Sequence, residues 1–441
     1  MRRDHPVGVG LMGLGVVGTG VFRALTQRAD LLAAQVGAPL VLKGILVRDA
    51  SKDRAVEVHG ASLTTSSEEL LRDPSIQIIV EVMGAEEPAH AYIQRAINLG
   101  KHVVTANKEV MAKHGPELLA LAESKGVCLG FEGSVGGGIP IIALARKDLV
   151  ANRIGAIHAI INGTTNYILT QMAEQGWDLD YAVQKAQELG FAEPDPSYDV
   201  DGLDAAYKLA TLSTLAFRSP VRVQDVYYEG IRRLRARDFK YAQELGYSIK
   251  LLAIGKIENG SLQVRVHPAM IPQDLLLAKV TGVFNAIQVD GDLVGRLLLY
   301  GRGAGAEPTT SAIMADVIDI ARGIVEETGS LPSVRLETGR SLSSINALIT
   351  RYYLRIDVAD RPGVLAQIAK VLGDMDISIA SVIQKETNSQ AQTAEIVIMT
   401  HESREASVQK ALKGLKELSV VKDIGNFLRV EDCATPKEGS R

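Results

Sequence analysis

The sequence runs to 441 residues, more than a single hydrophobic core supports, so two or three domains are expected. Apolar residues make up 46% and charged residues 23%, and a net charge of −4 provides no basic field for nucleic acid or an anionic membrane surface. Two cysteines, Cys128 and Cys433, exclude a disulfide framework. With no apolar signal core before Val7 and no run of about 18 apolar residues, a cytoplasmic setting is expected.

Short apolar runs alternate with amphipathic stretches through the first part of the chain. Val7–Met12 reads as a strand, Val17–Ala34 as a helix, and Val41–Val47 and Ile76–Val82 as strands. Pro88–Asn98 is helical, Lys101–Thr105 a strand, Glu109–Ser124 a helix, and Val127–Phe131 closes the series. Alternation of this kind predicts an α/β, Rossmann-type parallel sheet over residues 1–142. Beyond Pro140 the strands Ile154–Ile161, Tyr227–Gly230, Ile249–Ile257 and Leu262–His267 predict a mixed α+β domain over 143–305.

A helix at Thr309–Glu327 carries Ile313, Val317, Ile320 and Ile324 at helical spacing and is expected to return to the first domain, over 306–330. Residues 331–350 read as a linker. Tyr352–Val358, Pro362–Gly373, Ile377–Gln384, Glu395–Met399, Ser403–Glu417 and Val420–Val430 then follow in the order βαββαβ. That order is the ferredoxin-like topology, and it defines a compact unit of its own over 351–431, with a polar, disordered tail over 432–441.

Between the first strand and the first helix stands Gly13-Leu14-Gly15-Val16-Val17-Gly18. Gly13 suits a tight turn, Gly15 lets backbone approach a pyrophosphate, and Gly18 permits close helix–strand packing. The helix N-terminus then offers free N–H groups to the phosphates. A Gly-rich turn alone is a weak signal, but the strand before it and the βα units behind it favour a dinucleotide. At the end of the second strand Arg48 favours NADP through its 2′-phosphate, while the neighbouring Asp49 leaves room for NAD.

Thr105-Ala106-Asn107-Lys108 follows a strand end, where ligands sit in open α/β sheets. Farther on, the segment from Leu189 through Glu193 and Asp199 runs into a helix with Asp204 and Lys208 four residues apart on one face. An exposed pair of that kind contributes only about 0.3–0.5 kcal/mol. Leu212 and Leu215 continue the same face, however, and a charged pair at a buried position points to function.

These motifs, with the segments from Glu132 to Pro140, Asn162 to Leu169 and Gly301 to Gly305, resemble homoserine dehydrogenase over residues 1–330. Residues 352–430, with Asp360-Arg361-Pro362-Gly363-Val364-Leu365, resemble an ACT domain, the arrangement of the monofunctional bacterial enzymes. The resemblance implies NAD(P)H-dependent reduction of aspartate 4-semialdehyde to homoserine. It makes Lys208 the acid–base group and Lys108 a contact to cofactor and substrate, and it assigns Glu193, Asp204 and Asp199 to the substrate. Thr105, Gly190 and Gly303 or Gly305 fall on the cofactor side.

Glu132, Val135, Gly137 and Ile139 match a structural site for sodium or potassium, which spacing alone does not reveal. A Gly-rich turn capped by one carboxylate is the plainer reading of the same residues. Asp360, Pro362, Gly363, Val364 and Leu365 would bind a regulatory amino acid, threonine, and a homodimer or homotetramer is expected. Truncation near Gly339 is expected to leave an active, threonine-insensitive enzyme. Two rivals stand beside this reading. One is an aldehyde dehydrogenase acting through a thiol, for which Cys128 sits in an apolar strand and Cys433 in the tail. The other is an NAD(P)-binding amino-acid sensor without catalysis.

Overall fold

A computed structural model of the chain describes residues 5–52, 56–58, 60–328, 334–337, 340–388 and 392–433. The predicted tail beyond Cys433 and the region around Gly339 thus lie outside the described residues. Contact density divides the chain into two units. Unit 1 holds the residues up to Ile154, Tyr207–Val226 and Asn285–Arg340. Unit 2 holds Gly155–Ala206, Tyr227–Phe284 and the chain from Ser341 on.

In unit 1, β1 (Val7–Met12), β2 (Leu40–Leu46), β3 (Ser62–Thr64), β4 (Ile78–Glu81), β5 (His102–Thr105) and β6 (Leu129–Gly130) form a sheet in the order β3-β2-β1-β4-β5-β6. Every pairing in it is parallel, which is the dinucleotide-binding order, whose crevice lies outside the carboxyl ends of the adjacent β1 and β4, where the strand order reverses. The helices around it are α1 (Val16–Gln27), α2 (Ala29–Val36), α3 (Ser67–Arg72), α4 (Ala89–Asn98), α5 (Lys108–Lys125) and α6 (Ile141–Lys147). The predicted helix Val17–Ala34 is two helices. Arg28 leaves helical dihedrals (φ −116°, ψ 24°), yet the apolar spacing of Val21, Leu25, Leu32 and Val36 survives the break, which is why periodicity reads straight through it.

The chain continues through β7 (Ile154–Ile160), α7 (Gly163–Gln175), α8 (Leu179–Glu188), α9 (Ser197–Val200), α10 (Leu203–Ala216), β8 (Tyr227–Tyr228) and α11 (Ala236–Glu244). Then come β9 (Tyr247–Glu258), β10 (Ser261–Pro272), β11 (Phe284–Gly291), β12 (Gly295–Arg302) and α12 (Ala306–Glu326). Ile313, Met314, Val317 and Ile320 of α12 share one buried core with Val9, Leu11, Ile78, Val80 and Val104 of the parallel sheet. Strand β11 escapes prediction because its buried positions include Asn285, Gln288 and Asp290, so the apolar alternation is missing.

The last elements are β13 (Ile349–Thr350), β14 (Tyr352–Ala359), α13 (Val364–Gly373), β15 (Ile379–Asn388), β16 (Thr393–Thr400), β17 (Ser403–Arg404), α14 (Glu405–Glu417) and β18 (Val421–Val430). Unit 2 orders its strands β7-β9-β10-β18-β14-β16-β15, with β8 beside β10. The βαββαβ segment is therefore joined to a neighbour within its unit: β18 runs parallel to β10 through Ala269↔Arg429 and Met270↔Val430.

Buried charges reinforce that seam. Asp238, fully buried, accepts from Arg355 Nε at 2.7 Å and Asn426 Nδ2 at 2.8 Å. Arg265 donates to Glu431 at 2.6 Å, and Arg429, held by Glu405 of its own segment at 2.7 Å, donates across the seam to Tyr227 Oη at 3.2 Å. Burial opposes the charge of Glu431, but Arg265 and His158 hold its carboxyl well below the usual range. The described part of the predicted linker is likewise tied down, with Leu262 N–H donating to Ser341 O and Ser343 N–H to Leu262 O. Cys433, expected in a loose tail, is fully buried.

Candidate functional site

The glycine loop opens a groove of about 1630 Å³ within unit 1. Gly13, Leu14, Gly15, Val16 and Arg48 line it, with Asp49, Lys52, Gly84 and Thr310. Gly13 adopts φ +104°, and a Cβ there would lie 2.9 Å from Val82 O, so the turn demands glycine. A Cβ on Gly15 would meet nothing within 4 Å, which leaves its backbone open to an incoming ligand. Gly15 is also the N-cap of α1 and supplies no side-chain cap, so the first N–H groups of that helix are left for an anion.

Two residues of the motif serve packing instead. Gly18 is buried, and a Cβ on it would fall 2.1 Å from Gly13 O, while Val17 packs against the sheet core. Asp49 turns its carboxylate back on Ser51, accepting from the backbone N–H at 2.8 Å and the hydroxyl at 2.6 Å.

At the ends of β4 and β5 the Thr105–Lys108 tetrapeptide has a structural logic. Thr105 is fully buried; its hydroxyl donates to Glu81 Oε2 at 2.6 Å and accepts from Asn107 N–H at 3.0 Å. Asn107 caps α5 by accepting from Val110 N–H at 3.1 Å, and its amide donates to Ala85 O at 2.7 Å. Lys108 is thereby fixed as the first residue of α5 and is half-buried. Burial pushes the Glu81 carboxyl up, against the Thr105 hydroxyl and the Met83 N–H. Glu81 is absent from the sequence reading because one carboxylate ending an apolar strand carries no signature of its own.

Asp204 and Lys208 lie on one helix, α10, with Asp204 only 2% exposed and Lys208 half-buried. In unit 2, Asn162 donates from its amide nitrogen to Asp199 Oδ1 at 2.6 Å and to Asp204 Oδ2 at 2.8 Å. Two of the three predicted substrate carboxylates are thus brought together. Glu193 is exposed on a loop whose carbonyls accept from Gln187, with Thr164 Oγ1 donating to Phe191 O at 2.7 Å. Gly190 closes α8 at φ +73° with open space around it.

The Glu132–Ile139 loop packs on the Gly303 segment in unit 1. A Cβ on Gly137 would fall 2.5 Å from Gly303 C, and Gly138 N–H donates to Arg302 O at 3.0 Å. Glu132, 2% exposed, accepts from Ile142 N–H at 2.9 Å and Ala143 N–H at 2.6 Å, capping α6. Asp316 accepts from Glu132 N–H at 2.8 Å, and burial pushes its carboxyl up to about 7. Ile139 O accepts from Ile141 N–H, whereas the buried Val135 and Gly137 carbonyls accept no hydrogen bond found among the described residues. Gly305, at φ +120°, is the N-cap of α12.

The thiol expected of an aldehyde dehydrogenase has no exposed candidate, since Cys128 and Cys433 are both buried. Among the described residues no cluster of His, Cys, Asp and Glu is arranged to hold a metal, and no helix is long and apolar enough to cross a membrane. In the ACT-like segment Asp360, Pro362, Gly363 and Leu365 are exposed, and Gly363 caps α13 at φ +86°. Helix α13 starts at Val364, later than predicted, and Val364 is 4% exposed in the core beneath the loop.

Comparison with known proteins bears on all of this. The family model for the homoserine dehydrogenase NAD-binding domain matches residues 13–132, that for homoserine dehydrogenase 140–318, and that for the ACT domain 352–419. A homoserine dehydrogenase of Synechocystis is 44% identical over 437 residues, covering 96% of this chain and 99% of its own length. The crystal structure of a homoserine dehydrogenase from Thiobacillus denitrificans matches with a TM-score of 0.92 at 40% identity, covering 98% of this chain and 100% of that one. A hyperthermophilic archaeal homoserine dehydrogenase solved in complex with NADPH covers 71% of this chain and 97% of its own, at 29% identity and a TM-score of 0.58.

Proposed function

The chain belongs to the homoserine dehydrogenase family, an oxidoreductase with a nicotinamide-binding domain and an ACT domain, and we propose that Lys208 is its acid–base group. The reaction interconverts L-aspartate 4-semialdehyde and L-homoserine, and the bound nicotinamide supplies or takes up the hydride. A proton must then reach the developing alkoxide, and a lysine ammonium both provides it and stabilises the growing negative charge. Lys108 contacts cofactor and substrate. Glu193, Asp204 and Asp199 receive the ammonium of the amino acid. Thr105 acts on the cofactor side by ordering Asn107 and Lys108, and Gly190, Gly303 and Gly305 line the nicotinamide side.

The observation that carries this reading is the buried carboxylate Asp204 on the same helix as Lys208, linked through Asn162 to a second carboxylate. Isolated buried carboxylates are costly, and two of them bridged by one amide suit a substrate that carries an ammonium group. The test is Lys208→Ala. Its kcat should fall by about 10²–10⁴-fold while cofactor affinity changes little, and a near-normal kcat would remove Lys208 from the role.

NADP is the preferred cofactor in this reading. Arg48 lines the groove, whereas Asp49 is engaged with Ser51, and the archaeal relative solved with NADPH is consistent with that preference. A monovalent cation, sodium or potassium, would be held by the Val135 and Gly137 carbonyls, with Ile139 O as a further donor. The Glu132 carboxylate orders that loop through its cap on α6. Buried carbonyls without hydrogen bonds are what such an ion satisfies. Threonine is the regulatory ligand, bound at the exposed loop Asp360, Pro362, Gly363 and Leu365, in a homodimer or homotetramer. Val364 anchors that loop instead of touching the ligand, and the enzyme works in the cytoplasm.

A further inference from the structure

The helix α7 begins at Gly163, and Asn162 before it has two separate jobs. Its side-chain oxygen accepts from Thr165 N–H at 2.8 Å and from Thr165 Oγ1 at 2.9 Å. The backbone N–H can only donate, so it fixes which end of the amide faces the helix, and the nitrogen must face the other way. That nitrogen has two hydrogens. One goes to Asp199 Oδ1 at 2.6 Å and the other to Asp204 Oδ2 at 2.8 Å. The residue is 5% exposed, so the fork is sheltered from water and held in a single orientation.

We propose that Asn162 is a positioning residue for substrate recognition, holding Asp199 and Asp204 together as one receptor for the substrate's ammonium group. The proposal rests on the reading of those two aspartates as substrate ligands. Like charges repel, and two carboxylates within reach of one amide nitrogen separate unless something bridges them. The amide bridges them without adding a charge of its own, taking one acceptor position on each carboxylate. The cap on α7 sets the amide's position, so the receptor geometry is written into the start of a helix. Thr164 and Gln187 hold the neighbouring Glu193 loop to the same region.

Asn162→Ser isolates the fork from the cap. Serine caps a helix as well as asparagine does and adds no charge, but its single short hydroxyl cannot reach two carboxylates at once. In the full-length enzyme the KM for homoserine should rise at least about fivefold, with kcat at saturation and the cofactor Kd close to wild type. Asn162→Ala should show the same rise in KM with a melting temperature below that of Asn162→Ser, since it loses the cap as well. A KM rise smaller than about fivefold in Asn162→Ser overturns the proposal, as does a rise confined to Asn162→Ala, which would assign the effect to the cap. Asp204→Asn separates this outcome from a failure of the underlying reading. If Asp204→Asn leaves KM unchanged, the aspartates do not bind substrate. If it raises KM while Asn162→Ser does not, only the positioning role fails.

Discussion

Gly15→Ala separates a residue needed by the ligand from one needed by the fold. Gly15 sits at φ −82° and ψ −154°, an extended conformation open to alanine, and the new Cβ would meet nothing within 4 Å. Alanine restricts the unfolded chain, which stabilises by about 0.4–1 kcal/mol, and it is a poorer N-cap than glycine by a similar amount. The two offset, and the melting temperature should move by no more than about 4 °C.

The cofactor meets a different situation, because the methyl stands in the groove where the pyrophosphate must approach the first N–H groups of α1. Loss of one charge-assisted hydrogen bond of about 1.5–3 kcal/mol weakens binding by roughly 10–150-fold. Titration of the reduced nucleotide by its fluorescence gives the Kd, and a thermal melt on the same sample gives stability. Gly18→Ala is the contrasting control. Its Cβ would lie 2.1 Å from Gly13 O, so the fold itself should weaken. A folded Gly15→Ala variant with a Kd within about threefold of wild type would refute the assignment of this loop to the dinucleotide.

Arg48→Ala should weaken NADP about tenfold or more while sparing NAD, measured by paired titrations, and equal losses would show that Arg48 does not read the 2′-phosphate. Burial lowers Lys250 to about 8, with Glu174 acting against it. Folded protein then binds fewer protons than unfolded protein between about pH 8 and 10.5, so wild-type stability should rise relative to Lys250→Met across that window, by on the order of 2–3 kcal/mol; parallel stability curves would contradict the shift. Exchanging sodium or potassium for a bulky organic cation should lower the melting temperature of wild type, and an identical melt in both salts would argue against an ion at Val135 and Gly137. Threonine should inhibit the full-length chain, and Asp360→Ala should relieve inhibition without loss of activity. Equal sensitivity in that variant would move threonine elsewhere.

The structure changes how regulation should be tested. Cutting away everything after Arg340 would strip β18 from β10 and leave Asp238 buried without Arg355, a loss of about 3–5 kcal/mol in such pairs. Truncation is therefore expected to destabilise unit 2, and point changes in the Asp360–Leu365 loop are the cleaner probe. This seam was invisible in the sequence because Asp238, Arg355 and Asn426 are far apart along the chain and each looks like an ordinary surface residue. Five of the six strands of the parallel sheet, all but β3, were legible by contrast, since buried βα units carry apolar runs with Gly and Pro punctuation.

The three-residue β3 and the six-residue α3 carry neither an apolar run nor a full helical repeat to mark them. At the site, the glycine loop and the Asp204/Lys208 spacing could be read directly, because backbone freedom and helical repeat leave local marks. Glu81 and the forked contacts of Asn162 could not, because what they do depends on partners brought close only by folding.

The most direct measurement is steady-state oxidation of homoserine by the purified chain with NADP and with NAD, run beside 4-hydroxybutyrate, which keeps the alcohol and carboxylate but lacks the amino group. The account predicts that homoserine is oxidised and that 4-hydroxybutyrate is poorer in kcat/KM by at least about a hundredfold, since the carboxylates Asp199, Asp204 and Glu193 then have no ammonium to receive. No oxidation of homoserine with either nucleotide, or equal turnover of the two alcohols, would contradict it.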